Sequence, residues 1–395
     1  MARRWFWSLR PATVREVADA IFANFLLHWF PARMRASSLA WTPTFWLGTV
    51  SWVLFVVLLL SGLPLMVFYI PSVEDAYRSV KDIEHVVSFG WWLRAVHRLA
   101  AHGMVITTTL HLARVFVTGA YKNAAEGTQR REWNWVIGVA MLFCTLLLSF
   151  TGYLLPWDQL AFWAVTVGTG IASSAPAAGA VVRHTLIGGR EIGEATLVRF
   201  YLLHIIALPL AMAVLFGYHM WRVRKDGGLA RGDAADESGD LPSIPPVIRR
   251  IAVVTMATVL AVTVLAILIP SPLLEPANPG VTPNPAKAPW YFLWLQEVVA
   301  DTTVRLGPVH VNGALVGGVV LPLALTVVLT LWPWLDRSPA AAAGVTFARE
   351  RRVQNAVFLA VALAITALTV VGLMRGPSWG LWWPWESWPS LPTRF

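Results

Sequence analysis

The sequence has a single cysteine, Cys144, and few charged residues among its 395 positions. One cysteine excludes a disulfide framework and a metal site made of cysteine alone. Charged residues make up 13% of the chain and hydrophobic residues 56%, whereas a soluble domain carries about 25% charged residues. This composition excludes a disordered chain, a nucleic-acid-binding arm and an ordinary soluble enzyme, and it predicts a polytopic protein of the lipid bilayer. The formal charge of +9 therefore indicates cytoplasmic loops, with no nucleic acid as a partner.

Seven stretches are long and apolar enough to cross a bilayer, which takes about 20 residues. Six of them hold long runs without any charge, and the other is interrupted by three arginines. We expect helices at about 45–70 (A), 91–117 (B), 133–154 (C), 199–222 (D), 249–270 (E), 312–334 (F) and 353–374 (G). The uncharged stretch 160–182 is rich in Gly, Ser, Thr and Pro, and we expect a loop with short surface helices there. The predicted fold class is all-α, with a four-helix half followed by a three-helix half.

The distribution of Lys and Arg orients these helices. The N-terminal segment and the B–C, D–E and F–G loops hold 20 Lys and Arg, against 8 in the other loops and the C-terminal tail. By the positive-inside rule, the N-terminus is cytoplasmic (the n-side) and the C-terminus lies on the opposite p-side. The predicted regions are an N-terminal half (1–224), an n-side linker (225–247), a C-terminal half (248–375) and a Trp-rich p-side tail (376–395).

Four histidines lie at matched positions on helices B and D. His97 and His111 are 14 residues apart, which in an α-helix is about 40° off one face and a rise of about 21 Å. His204 and His219 are 15 apart, about 60° off one face. Both helices run from the p-side to the n-side, so His97 lies level with His204, and His111 with His219. Two such pairs are what two bis-imidazole haems require, whereas hydrogen bonding within the bundle is the alternative for a lone histidine.

Glycines and arginines follow the same spacing. Helix A has Gly48 and Gly62, and helix C has Gly138 and Gly152, each pair again 14 residues apart. A missing side chain at the two predicted depths leaves space for a porphyrin. The arginines next to the histidines are candidates for pairing with anionic haem propionates, with snorkelling to the interface as the alternative. These arginines are Arg94, Arg98 and Arg114.

Three segments resemble the cytochrome b subunit of cytochrome bc complexes. They are RAVHRLAAHGMVITTTLHLAR, SFTGYLLPWDQLAFWAVTV and RFYLLHIIALPLAMAVLFGYHMWRVRKDGG, which are similar to the family's helix B, helix C with its following loop, and helix D. The 15-residue histidine spacing resembles the chloroplast and cyanobacterial type, in which the two halves are separate chains. Here the resemblance covers residues about 15–375, so both halves are fused in one chain.

The resemblance implies function, cofactors and partners. It implies two b-type haems with iron ligands at His97, His111, His204 and His219, and quinone sites at both membrane faces. It also implies a Rieske iron–sulfur protein and a c-type cytochrome as partners in a homodimeric complex of the bacterial cytoplasmic membrane. The expected activity is quinol:cytochrome c-type oxidoreduction with proton translocation.

Two positions depart from that family. Trp46 stands about where the chloroplast type has the cysteine of an extra covalent haem, so only two non-covalent haems are expected. Pro289 stands where the Pro-Glu-Trp-Tyr motif of the p-side quinol site has its glutamate. The lost carboxylate requires another proton acceptor, for which Glu297 is the first candidate, ahead of Asp158 and Asp301. For Glu297 a surface carboxylate at the p-side interface is the slightly favoured alternative.

The remaining candidate residues would form the two quinone sites. Those at the p-side are Tyr153, Trp157, Pro289, Trp290, Tyr291 and Phe292, and those at the n-side are Arg224, Lys225 and Asp19. Solvated surface charge is an equal alternative for Asp19 and Lys225. Two other functions compete: a dihaem anchor that links a dehydrogenase to quinone, and a transporter with structural histidines. The number of spans argues against the anchor, and a haem absorption spectrum would argue against the transporter.

Overall fold

The computed structural model describes residues 13–23, 30–123, 129–231 and 238–381, which are mostly helical. The N-terminal half contains α1 (Val14–Ala23), α2 (Leu47–Phe68), α3 (Ala76–His85), α4 (Gly90–Thr118), α5 (Arg131–Leu154), α6 (Gln159–Ser173), α7 (Gly179–Ile187), α8 (Glu194–Leu202) and α9 (Leu208–Asp226). The C-terminal half contains α10 (Pro246–Leu268), α11 (Trp290–Thr302), α12 (Gly313–Leu315), α13 (Leu321–Leu335) and α14 (Arg352–Leu373). The predicted all-α fold class is confirmed.

Six helical segments of the described chain are long and apolar enough to cross a membrane. They are Leu47–Phe68, Arg131–Leu154, Glu194–Asp226, Pro246–Leu268, Gly313–Leu335 and Arg349–Leu373. Predicted helix B forms α4, which has 29 residues. Its arginines and histidines lower its hydropathy, and it is not among the six. The count of seven spans therefore stays a prediction.

The N-terminal half is a helix bundle to which the C-terminal half is joined. Helices α2 and α4 pack together, as do α5 and α9, while α10 lies against both α2 and α4. A buried apolar cluster lies between these helices, and its members include Phe55, Ala100, Met104, Met212 and Val262. Helix α13 packs on α5, and α11 packs on α14.

Two of the spans contain a wider π-type turn. Leu203–Ala207 joins α8 to α9, and Val316–Val320 joins α12 to α13. A proline follows each of these turns, Pro209 in α9 and Pro322 in α13. Proline has no N–H to donate to the carbonyl four residues back, and its ring crowds that carbonyl. A π turn places the ring without breaking the helix.

The connections are short helices and two-stranded ladders. The stretch 160–182 forms helices as expected, most of α6 and the start of α7. However, α6 has 15 residues and is not a short surface helix, since its Phe162 and Val165 are buried in an apolar cluster. The linker strand β2 (Asp240–Pro242) pairs with β1 (Arg33–Arg35), and β3 (Arg305–Leu306) pairs with β4 (Val309–His310). Residues 232–237 of the linker and 382–395 of the Trp-rich tail lie outside the described residues.

A buried arginine, Arg351, joins the two halves at their predicted n-side ends. Arg351 and Asp336 both come from the C-terminal half, and their side chains have 0% exposure. The Arg351 guanidinium donates to Asp336 Oδ2 at 3.2 Å, to the Phe116 carbonyl at 2.8 Å and to the Tyr121 hydroxyl at 2.7 Å. Tyr121 in turn donates to Asp336 Oδ2 at 2.7 Å. Arg351 thus satisfies carbonyls at the end of α4 while it neutralises the Asp336 carboxylate.

Arg351→Met should destabilise the protein by about 1–3 kcal/mol, because the Phe116 carbonyl loses its donor. Asp336 keeps Lys122, at 3.6 Å, as its charged partner. The check is the thermal denaturation midpoint of the purified protein in mild detergent. Arg349→Met, at an exposed position two residues earlier, is the matched control and should leave the midpoint unchanged. Equal midpoints for the two variants would show that Arg351 does not hold the halves together.

Candidate haem centres and quinol pocket

The structure brings the four helix B and helix D histidines together in the two predicted pairs. The His97 and His204 ring centres are 6.2 Å apart, with ring planes at 72°. The His111 and His219 ring centres are 6.5 Å apart, with planes at 79°. A metal–imidazole bond is about 2 Å long, and a ring centre lies about 1 Å beyond its nitrogen. Two imidazoles on opposite sides of one iron therefore have centres about 6 Å apart, so both pairs fit a bis-imidazole haem.

The π turn explains the unequal histidine spacing. His204 lies inside Leu203–Ala207, and a π turn takes an extra residue without advancing the helix by a full step. The 15-residue interval on the second helix therefore matches the 14-residue interval between His97 and His111. The offset of about 60° between His204 and His219 was calculated for an ideal α-helix, which does not include this turn.

Hydrogen bonds orient the imidazoles of the first pair. His97 Nδ1 lies 2.9 Å from Ser61 Oγ, and His204 Nδ1 lies 3.1 Å from the Leu148 carbonyl and 3.3 Å from Thr151 Oγ1. A metal-binding histidine normally uses its second nitrogen in this way, which leaves Nε2 for the metal. His111 Nδ1 is buried and has no partner among the described residues.

Three of the four predicted glycines contact these imidazoles. A Cβ on Gly48 would lie 3.2 Å from His111 Cε1, and one on Gly62 would lie 3.2 Å from His97 Cε1. On Gly152 it would lie 2.5 Å from His204 Cε1, whereas Gly138 has no described atom within 4 Å of that position. The space beside three ligand candidates therefore depends on glycine, and the space beside Gly138 is open.

The arginine candidates bind backbone carbonyls. Arg94 donates to Glu84 Oε2 and to the Ser271 carbonyl, both at 2.7 Å. Arg98 donates to the Pro270 carbonyl at 3.2 Å. Arg114 bridges the N-terminal segment and the linker, since it donates to the carbonyls of Pro43 at 2.9 Å, Leu229 at 3.0 Å and Ala230 at 2.8 Å. Their pairing with propionates stays a prediction.

Aromatic side chains from α5 and α11 converge at the predicted p-side. Tyr291 and Phe292 have ring centres 4.9 Å apart, and Phe292 lies edge-on to Phe150 at 6.1 Å. Burial raises the pKa of Tyr291 to about 12, so its hydroxyl stays a proton donor at neutral pH. Pro289 caps the start of α11, while Trp157 is buried in a neighbouring apolar cluster.

Tyr153, at the end of α5, forms a group with Tyr291, Arg98 and Asp158. Arg98 interacts through its charge with both tyrosines and with Asp158. Asp158 is buried and accepts hydrogen bonds from the Ala161 N–H at 2.9 Å, which caps α6, and from the Leu274 N–H at 3.3 Å. Burial raises the pKa of Asp158. The group therefore combines a phenol donor with a carboxyl group whose pKa burial raises.

Glu297 is not the surface carboxylate that we favour from the sequence. Its exposure is 0%, because Arg375 and Trp379 from beyond α14 cover it. Arg375 Nε donates to Glu297 Oε1 at 2.8 Å, and Trp379 Nε1 donates to Oε2 at 3.1 Å. Arg375 also lies 3.5 Å from Asp301, which is exposed. One donor to Glu297 is thus a guanidinium, whose positive charge favours the ionised carboxylate and makes Glu297 a poor proton acceptor.

Two of the three n-side candidates lie at the end of α9. Lys225 is exposed and lies 4.9 Å above the Trp221 ring, and Arg224 is half-buried. Asp19 lies in α1, and its side chain is outside the described residues. Trp46 is buried at the start of α2, where its indole donates to the Ala40 carbonyl at 3.2 Å.

Sequence reasoning missed two features near these sites. Arg222 and Asp226 form a buried ion pair of 2.7 Å one turn apart, for which the i, i+4 spacing is a usable signal. His102, which we place in no site from the sequence, accepts a hydrogen bond from Trp290 Nε1 at 3.1 Å. These two residues are 188 positions apart, so no local pattern indicates the contact.

Comparisons with known proteins agree with this arrangement. Residues 102–276 match the family model described as Cytochrome b(N-terminal)/b6/petB, and residues 276–382 match Cytochrome b(C-terminal)/b6/petD. The chain is similar to cytochrome b6 of Oltmannsiellopsis viridis, with 42% identity over 46% of this chain and 81% of that protein. It is also similar to cytochrome b6 of Auxenochlorella protothecoides, with 37% identity over 50% of this chain and 95% of that protein.

A solved structure extends the likeness to both halves. A chain of a hyperthermophilic respiratory Complex III superimposes with a TM-score of 0.69 and 27% identity, and the match covers 84% of each chain. The algal relatives match about half of this chain, whereas this match spans most of it. The chain therefore belongs to the cytochrome b/b6 family and is a cytochrome b subunit of a bc-type complex, with the b6-like half and the C-terminal half fused.

Proposed function

We propose that the chain is the core of a quinol:cytochrome c-type oxidoreductase, which oxidises quinol at the p-side and reduces quinone at the n-side. One electron of each quinol would pass to a Rieske iron–sulfur protein and on to a c-type cytochrome, and the other would cross the membrane within this chain. The observation that carries the proposal is that two pairs of imidazoles face each other at two different depths. The ring centres are 6.2 Å apart in the His97–His204 pair and 6.5 Å apart in the His111–His219 pair.

The chain would hold one b-type haem between His97 and His204 and a second between His111 and His219. When bound, haem supplies one-electron transfer through its iron. Ser61 and the Leu148 carbonyl fix the rings of the first pair. A rise of about 21 Å between the two levels covers most of the ~30 Å hydrocarbon layer.

At the p-side the chain's own residues would bind quinol and take its protons. The Tyr291 and Phe292 rings supply an apolar wall, and the Tyr291 hydroxyl supplies a donor. We assign proton acceptance to Asp158, because burial raises the pKa of its carboxyl group and its hydrogen-bond donors are neutral backbone N–H groups. Glu297 is already bound by Arg375. Release of these protons at the p-side would build the proton gradient.

At the n-side, Arg224, Lys225 and Asp19 would bind quinone or deliver protons to it. The expected location is a bacterial cytoplasmic membrane, in a homodimeric complex. By the resemblance, Trp46 stands about where the chloroplast type has the cysteine of its extra covalent haem, and two haems per chain are therefore proposed.

A haem count tests this proposal against its rivals. We expect a pyridine haemochrome assay on the purified subunit to give about two b haems per chain, because each facing imidazole pair provides two axial ligands. All of this haem should be extracted by acid acetone. Absence of haem would favour a transporter, and haem left on the chain after extraction would contradict the proposal of two non-covalent haems.

A further test separates a bc-type complex from a dihaem anchor. In membranes treated with an n-side inhibitor, quinol should reduce the b haems only when the Rieske protein can accept the partner electron. Reduction at full rate without a functional Rieske protein, in the presence of an n-side inhibitor, would favour the anchor.

A further inference from the structure

His102 occupies a different face of α4 from the two ligand candidates. It follows His97 by five residues, a rotation of about 140° around the helix. Its ring centre lies 6.4 Å from Trp290 and 6.2 Å from Tyr291. His102 therefore faces the start of α11, which carries the aromatic wall of the proposed quinol pocket.

The hydrogen bond from Trp290 fixes the state of this imidazole. An indole N–H can only donate, so His102 Nδ1 at 3.1 Å must be the acceptor. In a neutral imidazole the proton is then on Nε2. A protonated His102 would set two N–H groups against each other and lose the bond, so the contact requires neutral histidine.

The charges around His102 favour the neutral form. Arg98 lies one turn earlier on the same helix and repels a second positive charge, and Tyr291 faces it from α11.

Helices α2, α3, α5 and α10 also pack on α4. Helix α2 carries no ionisable residue, and α10 carries only Arg249 and Arg250 near its n-side start. Helix α3 carries charged residues, of which Glu84 pairs with Arg94 at the start of α4. Helix α5 has Tyr153 at its p-side end and its charged residues at its n-side start.

We propose that His102 is a positioning residue for quinol oxidation, which holds Trp290, and with it the Tyr291 wall, against α4. This inference rests on the proposed function. Pro289, the residue before Trp290, has neither an N–H nor a polar side chain. The side-chain bond to His102 therefore sets where α11 begins relative to the helix that carries His97. His102 acts through Trp290 and not on the quinol itself.

The test uses the intact complex with four variants: His102→Leu, Trp290→Phe, the combination of both, and His102→Asn. Leu removes the acceptor and Phe removes the donor, whereas Asn keeps an acceptor oxygen close to the position of Nδ1. We expect His102→Leu and Trp290→Phe each to lower kcat/KM for a short-chain quinol about five- to tenfold, as expected for one neutral hydrogen bond. The change should lie mainly in KM, because a displaced wall weakens quinol binding.

The double variant and the asparagine variant separate this role from general packing. The double variant should be no worse than either single one, because both changes remove the same bond. His102→Asn should restore kcat/KM to within about twofold of wild type. Additive losses in the double variant, or an Asn variant as poor as Leu, would overturn the proposal.

A measurement without turnover keeps this inference separate from the proposed function. The ultraviolet resonance Raman difference between wild type and Trp290→Phe isolates the Trp290 indole and reports its N–H hydrogen bond. The difference between His102→Leu and the double variant isolates the same indole without its acceptor, and it should show an N–H that is not hydrogen-bonded. An unchanged indole signal in the His102→Leu background would overturn the assignment, whereas loss of quinol oxidation in wild type would reject only the proposed function.

Discussion

Replacing His111 with leucine should remove one of the two haems and leave the other. The variant should bind about one b haem per chain, and quinone reduction at the n-side should stop. The reason is that an iron between His111 and His219 would lose an axial ligand, while the His97–His204 pair lies about 21 Å away along the helix. Reduced-minus-oxidised spectra of the purified complex, together with haem extraction, check this.

His219→Leu should give the same spectrum, since it removes the opposite ligand of the same pair. His102→Leu is the matched control on the same helix, and it should keep both haems because His102 faces Trp290 and no second imidazole. Loss of the p-side haem spectrum alone in His111→Leu would show that the pairing is wrong.

Crowding the glycines provides an independent check that keeps all four ligands. A Cβ on Gly48 approaches His111 and one on Gly62 approaches His97, each at 3.2 Å. Gly48→Val should therefore broaden or shift the spectrum of the n-side haem only, and Gly62→Val that of the p-side haem only. Shifts in the opposite haems would contradict the assignment of depth.

The pairs could be predicted from the sequence because helical geometry relates residue spacing directly to depth and face. The positions of His97 and His111 could be predicted from their 14-residue interval within an apolar stretch. The π turn at Leu203–Ala207 was not predicted, since its signal is one proline whose effect on the preceding turn depends on packing. An ideal α-helix therefore gives only an approximate rotation around the helix axis between His204 and His219.

Contacts between distant segments set the limits of the sequence prediction. Glu297 is buried because Arg375, 78 positions later, covers it. Arg351 is buried because the end of α4, more than 200 positions earlier, supplies its carbonyl partners. Charged residues are normally interpreted as exposed, and only tertiary structure shows that these two are paired.

Asp158→Asn should slow quinol oxidation by about 10²–10⁴-fold, the usual contribution of a general base, with both haem spectra unchanged. Asn caps a helix about as well as Asp, so the bond from the Ala161 N–H and the start of α6 should be kept while proton acceptance is lost. The second bond, from the Leu274 N–H at 3.3 Å, is lost with the second oxygen. Asp158→Ala removes the cap as well and should lower stability by about 1 kcal/mol. Stopped-flow reduction of the p-side haem by quinol, together with the denaturation midpoint, separates these two effects.

The pH dependence of the rate follows from the state of Asp158. Only the ionised carboxylate can accept a proton, and burial raises its pKa. The wild-type rate should therefore fall as pH decreases through that raised pKa, and this acid limb should be missing from the residual rate of Asp158→Asn. Glu297→Gln should keep the acid limb and most of the rate, because Arg375 already occupies that carboxylate. A normal rate in Asp158→Asn with a rate at least tenfold slower in Glu297→Gln would instead make Glu297 the proton acceptor and limit Asp158 to capping α6.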